Sequence, residues 1–134
     1  MGNPIKIYLA TPYTGTEVQE KVRFKQACEI CAGLMKSGFR VFSPIAHSHN
    51  IAVYGSMPGS HGFWKEQNRS WLEWADEIWV ARMHRWTESR GVKWEISWAM
   101  NNDMVVRIFT PGEISGAKLY DNGVSNGQDT NRTR

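Results

Sequence analysis

Short apolar stretches alternate with longer helical ones along most of this chain, and that alternation leaves few architectures open. Ile5, Ile7 and Leu9 alternate with Lys6 and Tyr8 and lead into Ala10, which predicts a strand over 5–10. Pro12 and Gly15 mark a turn. Thr16, with Gln19 three residues on, has the spacing of a capping box. Val18, Val22, Ala27, Ile30, Cys31, Leu34 and Met35 then recur at helical spacing as far as Ser37, where Gly38 can end the helix. A second strand follows over 39–42, closed by Ser43–Pro44, and 44–61 reads as a long loop holding His47, His49 and His61. Residues 62–75 are helical in pattern, 78–81 form a third strand, and 82–88 a polar loop. Ser89 can N-cap a helix to about Asn101, before a last strand over 104–109.

Strands separated by helices predict an α/β fold. We expect a small Rossmann-like (flavodoxin-like) three-layer sandwich, with a four- to five-stranded parallel sheet and right-handed crossovers. The 134 residues suit one domain, placed at 1–115, with a polar C-terminal tail at 116–134 expected to be flexible. A hydrophobic content of 41% is enough for a core.

The net charge is only +3 and no run of Lys or Arg occurs, so nucleic acid is not an expected partner. No apolar run approaches the roughly 20 residues of a membrane span. The start MGNPIKIYLA lacks the apolar core of a signal peptide, so no membrane role and a cytoplasmic location are expected. Cys28 and Cys31 have redox or zinc spacing, yet they lie deep in a helical pattern with no second pair; they read as small core-facing residues. His47-x-His49 with His61 could offer three nitrogens to a metal, but no cysteine or carboxylate completes the set. Neither metal nor cofactor is expected.

All seven tryptophans lie between 64 and 98. Trp94 and Trp98, four apart, share a helix face distinct from the Val92, Ile96, Ala99 stripe. A helix apolar on two faces suggests burial against a second copy, hence a homodimer or higher homo-oligomer; a tryptophan-rich interaction protein is the other reading.

In an open α/β sheet ligands sit beyond the carboxyl ends of the strands. This rule selects Thr11–Gly15, Ser43–Asn50, Arg82–Gly91 and Thr110–Gly112. Glu95 falls at the edge of the apolar stripe of its helix. It either tilts to solvent, pairs with Arg90 or Arg23, or is a carboxylate kept near the sheet for chemistry. Ser89-x-Gly91 opens the same helix, whose N-terminus suits a phosphate or carboxylate.

Three segments carry a family resemblance: IYLATPYTG, SPIAHSHNIA, and NRSWLEWADEIWVARMHRWTESRGVKWEISWA. Together they resemble the nucleoside 2-deoxyribosyltransferase superfamily over about residues 5–112, closest to its small DUF1937 and DUF4406 groups. The last segment is also similar to 2′-deoxynucleoside 5′-monophosphate N-hydrolases. The string Trp86-x-x-Ser89-x-Gly91-x-x-x-Glu95 is the most specific part.

The resemblance implies cleavage or exchange of the N-glycosidic bond of a (deoxy)nucleoside or its 5′-monophosphate. It makes Glu95 the nucleophile, gives Ser89 and Gly91 the 5′-phosphate, and puts Tyr13, with Thr11 and Thr14, in a loop over the sugar or phosphate. Asn68 stands where the family usually has an Asp, so Asp76 or a histidine would have to substitute, or activity would be altered. Asp76 also matches the family pattern, as a cap on the following strand. Beside this, the chemistry of base release asks for an aromatic slot, from Trp64, Trp86 or Tyr13, and for an acid near neutral pH, for which His47 is placed. A catalytically inactive nucleotide-binding module is the alternative, and Asn68 is the feature that favours it.

Overall fold

The computed structural model describes residues 4–57 and 59–114. Strand β1 (Lys6–Ala10) leads into helix α1 (Glu17–Lys36), and the capping box forms as the spacing predicts. The Gln19 N–H donates to Thr16 Oγ1 over 3.1 Å, and the Thr16 N–H donates to Gln19 Oε1 over 2.9 Å. Gly38 follows α1 with a φ of +101°, a left-handed conformation that a side chain would strain. Strand β2 (Arg40–Phe42) comes next.

The long loop expected over 44–61 is instead mostly helix α2 (Pro44–Gly55), with only a short connection before helix α3 (His61–Trp74). Ser43–Pro44 is a helix start rather than a strand stop. Ser43 Oγ accepts from the Ala46 N–H over 3.0 Å, and Pro44 takes a first-turn position where its missing N–H costs nothing. The histidines and serine of this segment obscure its helical period. Strand β3 (Glu77–Ala81), a 3₁₀ turn at Trp86–Glu88, helix α4 (Arg90–Asn101), strand β4 (Val105–Phe109) and a further 3₁₀ turn at Pro111–Ile114 complete the described chain. The tail expected at 116–134 lies outside the described residues.

The four strands are all parallel in the order β2-β1-β3-β4, giving the expected Rossmann-like topology. The chain steps outward from β1 to β2 and then crosses back to β3. The switch point therefore falls between the carboxyl ends of β1 and β3. Each face of the sheet is covered. Ile7, Leu9, Trp79 and Ala81 pack with Ile30, Cys31 and Leu34 of α1. Tyr8, Ala10, Ile78 and Val80 pack with Leu72 of α3 and with Val92 and Ala99 of α4. Cys31 is thus core, Cys28 is half-buried, and both thiols are free.

Asp76 belongs to the opposite edge. Its carboxylate accepts from the Lys6 N–H over 2.9 Å, and its own N–H donates to the Lys6 carbonyl over 2.7 Å. It ties the start of β3 to the start of β1, so it stands at the amino ends of the strands and is no substitute for a carboxylate at position 68.

Among the described residues no helix is long and apolar enough to cross a membrane.

Candidate active site

The buried side of α4 is Val92, Glu95 and Ala99. These are spaced three and four apart, so they form one stripe against the sheet. Glu95 is within that stripe rather than at its edge, with 5% of its surface exposed. Neither Arg90 nor Arg23 pairs with it. Its partner is Tyr8 of β1, whose hydroxyl donates to Glu95 Oε2. Arg23 Nη1 instead donates to the carbonyls of Tyr13 and Thr14, at 3.2 and 2.6 Å.

Burial pushes the Glu95 carboxyl up to about 8, and the Tyr8 hydrogen bond pulls it back only in part. Burial also raises Tyr8, and the adjacent Glu95 charge adds to that. At neutral pH the pair is therefore largely a protonated acid beside a neutral phenol. A buried carboxyl held so close to neutrality is suited to proton or nucleophile chemistry. Tyr8 has no place among the residues expected from sequence. Its signal was a hydroxyl on the alternate face of β1, a face that reads as solvated in an antiparallel sheet but is covered in a parallel one.

Ser89 caps α4 as expected, its Oγ accepting from the Val92 N–H over 3.1 Å. The cap serves the third residue of the helix; the amides of Arg90 and Gly91 ahead of it have no acceptor within a helix. A Cβ built on Gly91 would meet nothing nearer than Ser89 Oγ at 3.8 Å, so this turn is open to approach. The surroundings are electropositive. His61, at the start of α3, is lowered first by burial and then by the charges of Arg90 and Lys65. The Lys65 ammonium lies 5.5 Å from the ring centre of Trp94. Helices α3 and α4 thus begin side by side, and both point their positive ends toward the carboxyl edge of the sheet.

Thr11 follows β1 directly. It is 5% exposed, and among the described residues its Oγ1 has no hydrogen-bond partner. An orphan hydroxyl at a switch point is a polar group waiting for a ligand or water. Thr14 is exposed, while Tyr13 is half-buried with its hydroxyl 2.7 Å from His49 Nδ1. Trp86 sits in the 3₁₀ turn before α4 and packs partly on the cluster around Tyr8.

A second group gathers between α2 and α3. His47, Trp64, Asn68 and Trp71 line a cleft of about 120 Å³, with Ile51 and Met57 among its apolar walls. An aromatic series joins this cleft to the buried acid. Trp71 stacks on Phe42 at 4.2 Å and 9°, His47 lies 5.3 Å from the Phe42 ring, and Phe42 is 6.0 Å from Tyr8.

The structure therefore brings His47, Asn68 and Trp64 together. It assembles Thr11, Ser89, Gly91 and Glu95 on the loops and helix that flank the switch point, and it turns Tyr13 toward α2. The Phe42–Trp71 stacking joins a strand and a helix that the sequence does predict, and no local pattern announces that contact. Among the described residues no cluster of His, Cys, Asp and Glu is arranged to hold a metal ion.

Trp94 and Trp98 are half-buried against the Tyr8 cluster within the chain.

This architecture is that of a Rossmann-like α/β protein with its polar groups at the switch point. The chain belongs to the family described as "Domain of unknown function (DUF1937)", which matches residues 5–111. Among solved structures, its fold is similar to that of the 2-deoxyribosyltransferase from the psychrotolerant bacterium Bacillus psychrosaccharolyticus. The identity is 24%, the TM-score is 0.51, and the match covers 79% of this chain and 72% of the other. No curated protein matches the chain.

Proposed function

We propose that this protein cleaves or exchanges the N-glycosidic bond of a (deoxy)nucleoside or its 5′-monophosphate, with Glu95 as nucleophile. The observation that carries this reading is the buried Glu95, held by Tyr8 behind the switch point and beside a helix N-terminus open at Gly91. The fold shared with a 2-deoxyribosyltransferase supports the same chemistry.

In this reading the ionised Glu95 attacks C1′ as the bond to the base nitrogen breaks. The base leaves with the electron pair and takes a proton from the His47 imidazolium. Water, or the nitrogen of a second base, then attacks C1′ of the glycosyl ester and frees the carboxylate. Asn68 orients the sugar, Trp64 and Trp86 offer flat surfaces to the base, and Ser89 with the Gly91 amide holds a 5′-phosphate opposite Thr11, Tyr13 and Thr14. Turnover needs Glu95 ionised and His47 protonated at once, so its pH profile is bell-shaped, with the Glu95 carboxyl, at about 8, setting one limb.

The test is release of free base from a panel of nucleosides and 5′-monophosphates, with and without a second base as acceptor. Release without acceptor selects hydrolysis, and release that requires the acceptor selects transfer.

Two observations favour a second reading, an inactive nucleotide-binding module: the amide at Asn68 and the largely protonated Glu95. Ligand-induced increases in melting temperature without base release would select it. Asn68→Asp then separates the two. In a weakened enzyme it raises turnover, and in a binding module it does not create any. A second copy of the chain against Trp94 and Trp98 belongs to the same proposal, and a monomer by light scattering at micromolar concentration would remove it.

A further inference from the structure

Helix α2 has two working sides. His47 lies on the cleft that α2 shares with α3, and His49, two residues on, faces the other way, toward α1. The His49 side chain is 9% exposed, and Phe24 of α1 stacks on its ring at 4.2 Å and 20°. Its Nδ1 lies 2.7 Å from the Tyr13 hydroxyl, with the two rings edge to face at 5.7 Å.

Tyr13 belongs to the stretch between β1 and α1, which topology sets at the carboxyl edge of the sheet. The other hydrogen bonds described over Tyr13–Thr16 run to α1. Arg23 takes the carbonyls of Tyr13 and Thr14, Glu20 accepts from the Gly15 N–H over 3.3 Å, and Gln19 closes the capping box on Thr16. The Tyr13 hydroxyl is the contact that carries this loop across to α2.

We propose that His49 is a positioning residue that fixes the Tyr13 loop to α2, and so couples the loop beside Thr11 to the helix that walls the His47 cleft. The ring is suited to this. It is pinned by Phe24 on one face, so it offers Nδ1 in a fixed direction, and a phenol is a firm partner for it. A ligand filling the α2–α3 cleft and a loop closing on the same ligand would then share one rigid helix. The consequence for substrate rests on the glycosidic reading above; the anchoring of the loop does not.

The experiment uses three variants of the full chain. Tyr13→Phe removes only the hydroxyl. His49→Leu fills the same space without a partner atom. His49→Asn keeps a polar atom close to where Nδ1 stood. Amide hydrogen exchange is followed over residues 11–16 with no ligand present. The expected result is exchange at least tenfold faster in Tyr13→Phe and His49→Leu, near the parent rate in His49→Asn, and unchanged in α4. The double variant Tyr13→Phe/His49→Leu should be no faster than either single one, because each removes the same bond. Unchanged exchange in the single variants, or fully additive effects in the double, would overturn the anchoring.

Where the parent releases base, His49→Leu should raise KM about tenfold and leave kcat within about threefold, with His49→Asn restoring KM; a loss of kcat at constant KM would overturn the positioning role. If the parent releases no base, the glycosidic reading fails while the exchange result still decides the anchor.

Discussion

The two faces of the sheet are built from the same strands and do different work. Toward α1 the side chains are Ile7, Leu9, Trp79 and Ala81, met by Ile30, Cys31 and Leu34 in an apolar cluster. Toward α3 and α4 they are Tyr8, Ala10, Ile78 and Val80, and this otherwise equal cluster encloses the Tyr8–Glu95 pair. One residue of offset along β1 separates a wall from a site. A buried carboxyl costs stability, whereas a buried leucine supplies it. The α1 face therefore supports the molecule, and the α4 face contains a group that the fold alone does not need.

The sharpest way to break this comparison is Glu95→Gln. Gln keeps the size and a partner for Tyr8, so the fold should survive, while base release falls by several powers of ten. The same variant should be the more stable one at alkaline pH. Unfolded, Glu95 titrates near its ordinary 4.5, and folded it titrates near 8. Between these values the native state holds a proton that the unfolded chain has lost, so parent stability falls as pH rises across that window and levels off above it. Melting temperatures taken from pH 4 to 9 should show that slope in the parent and much less of it in Glu95→Gln.

On the other face, Leu34→Ala should cost about 2–5 kcal/mol by chemical denaturation, since Leu34 is 1% exposed and leaves a cavity. The folded fraction should keep its full base-releasing activity. A change in chemistry there would mean that the two faces are not separable.

Tyr8→Phe is intermediate. It removes the one hydrogen bond that lowers the Glu95 pKa, so the limb of the rate profile set by Glu95 should move to higher pH. Loss of the donor should cost stability by roughly 1–3 kcal/mol once Glu95 ionises. Ser89→Ala is the smallest change. It should cost about 1 kcal/mol through the lost cap on Val92, and weaken 5′-monophosphates more than nucleosides in binding titrations.

The sequence was legible where local rules and global fold agree. The capping box at Thr16, the stop at Gly38, the cap at Ser89 and the alternation of strands and helices needed no tertiary information. The stretch after β2 was not legible in the same way. Ser43–Pro44 fits a strand stop and a helix start equally well, and His47, Ser48, His49 and Asn50 carry no apolar period. With α2 read as loop, the turning of His49 toward Phe24 has no scaffold on which to be placed. Glu95 was found through its helical position and its motif. Its partner was not, because a tyrosine in an alternating strand announces a face, and only the sheet's pairing decides whether that face is wet.

The pairing of β1 with β3, secured by Asp76 on Lys6 across 70 residues of chain, also has a consequence for how the molecule is made. Of the four strands, β1 is synthesised first, yet it becomes a central strand of the sheet, flanked by β2 and β3. It finds β2 after one helix, but its other edge stays open until α2, α3 and β3 have all been synthesised. Even then the Tyr8 face still lacks α4, the helix that brings Val92, Glu95 and Ala99 to it. Closing so long a loop is entropically costly, so this fold should form late and cooperatively rather than strand by strand from β1 onward. A chain that stops short of residue 77 lacks β3 altogether and keeps only the β1–β2 strand pair, with the other edge of β1 open.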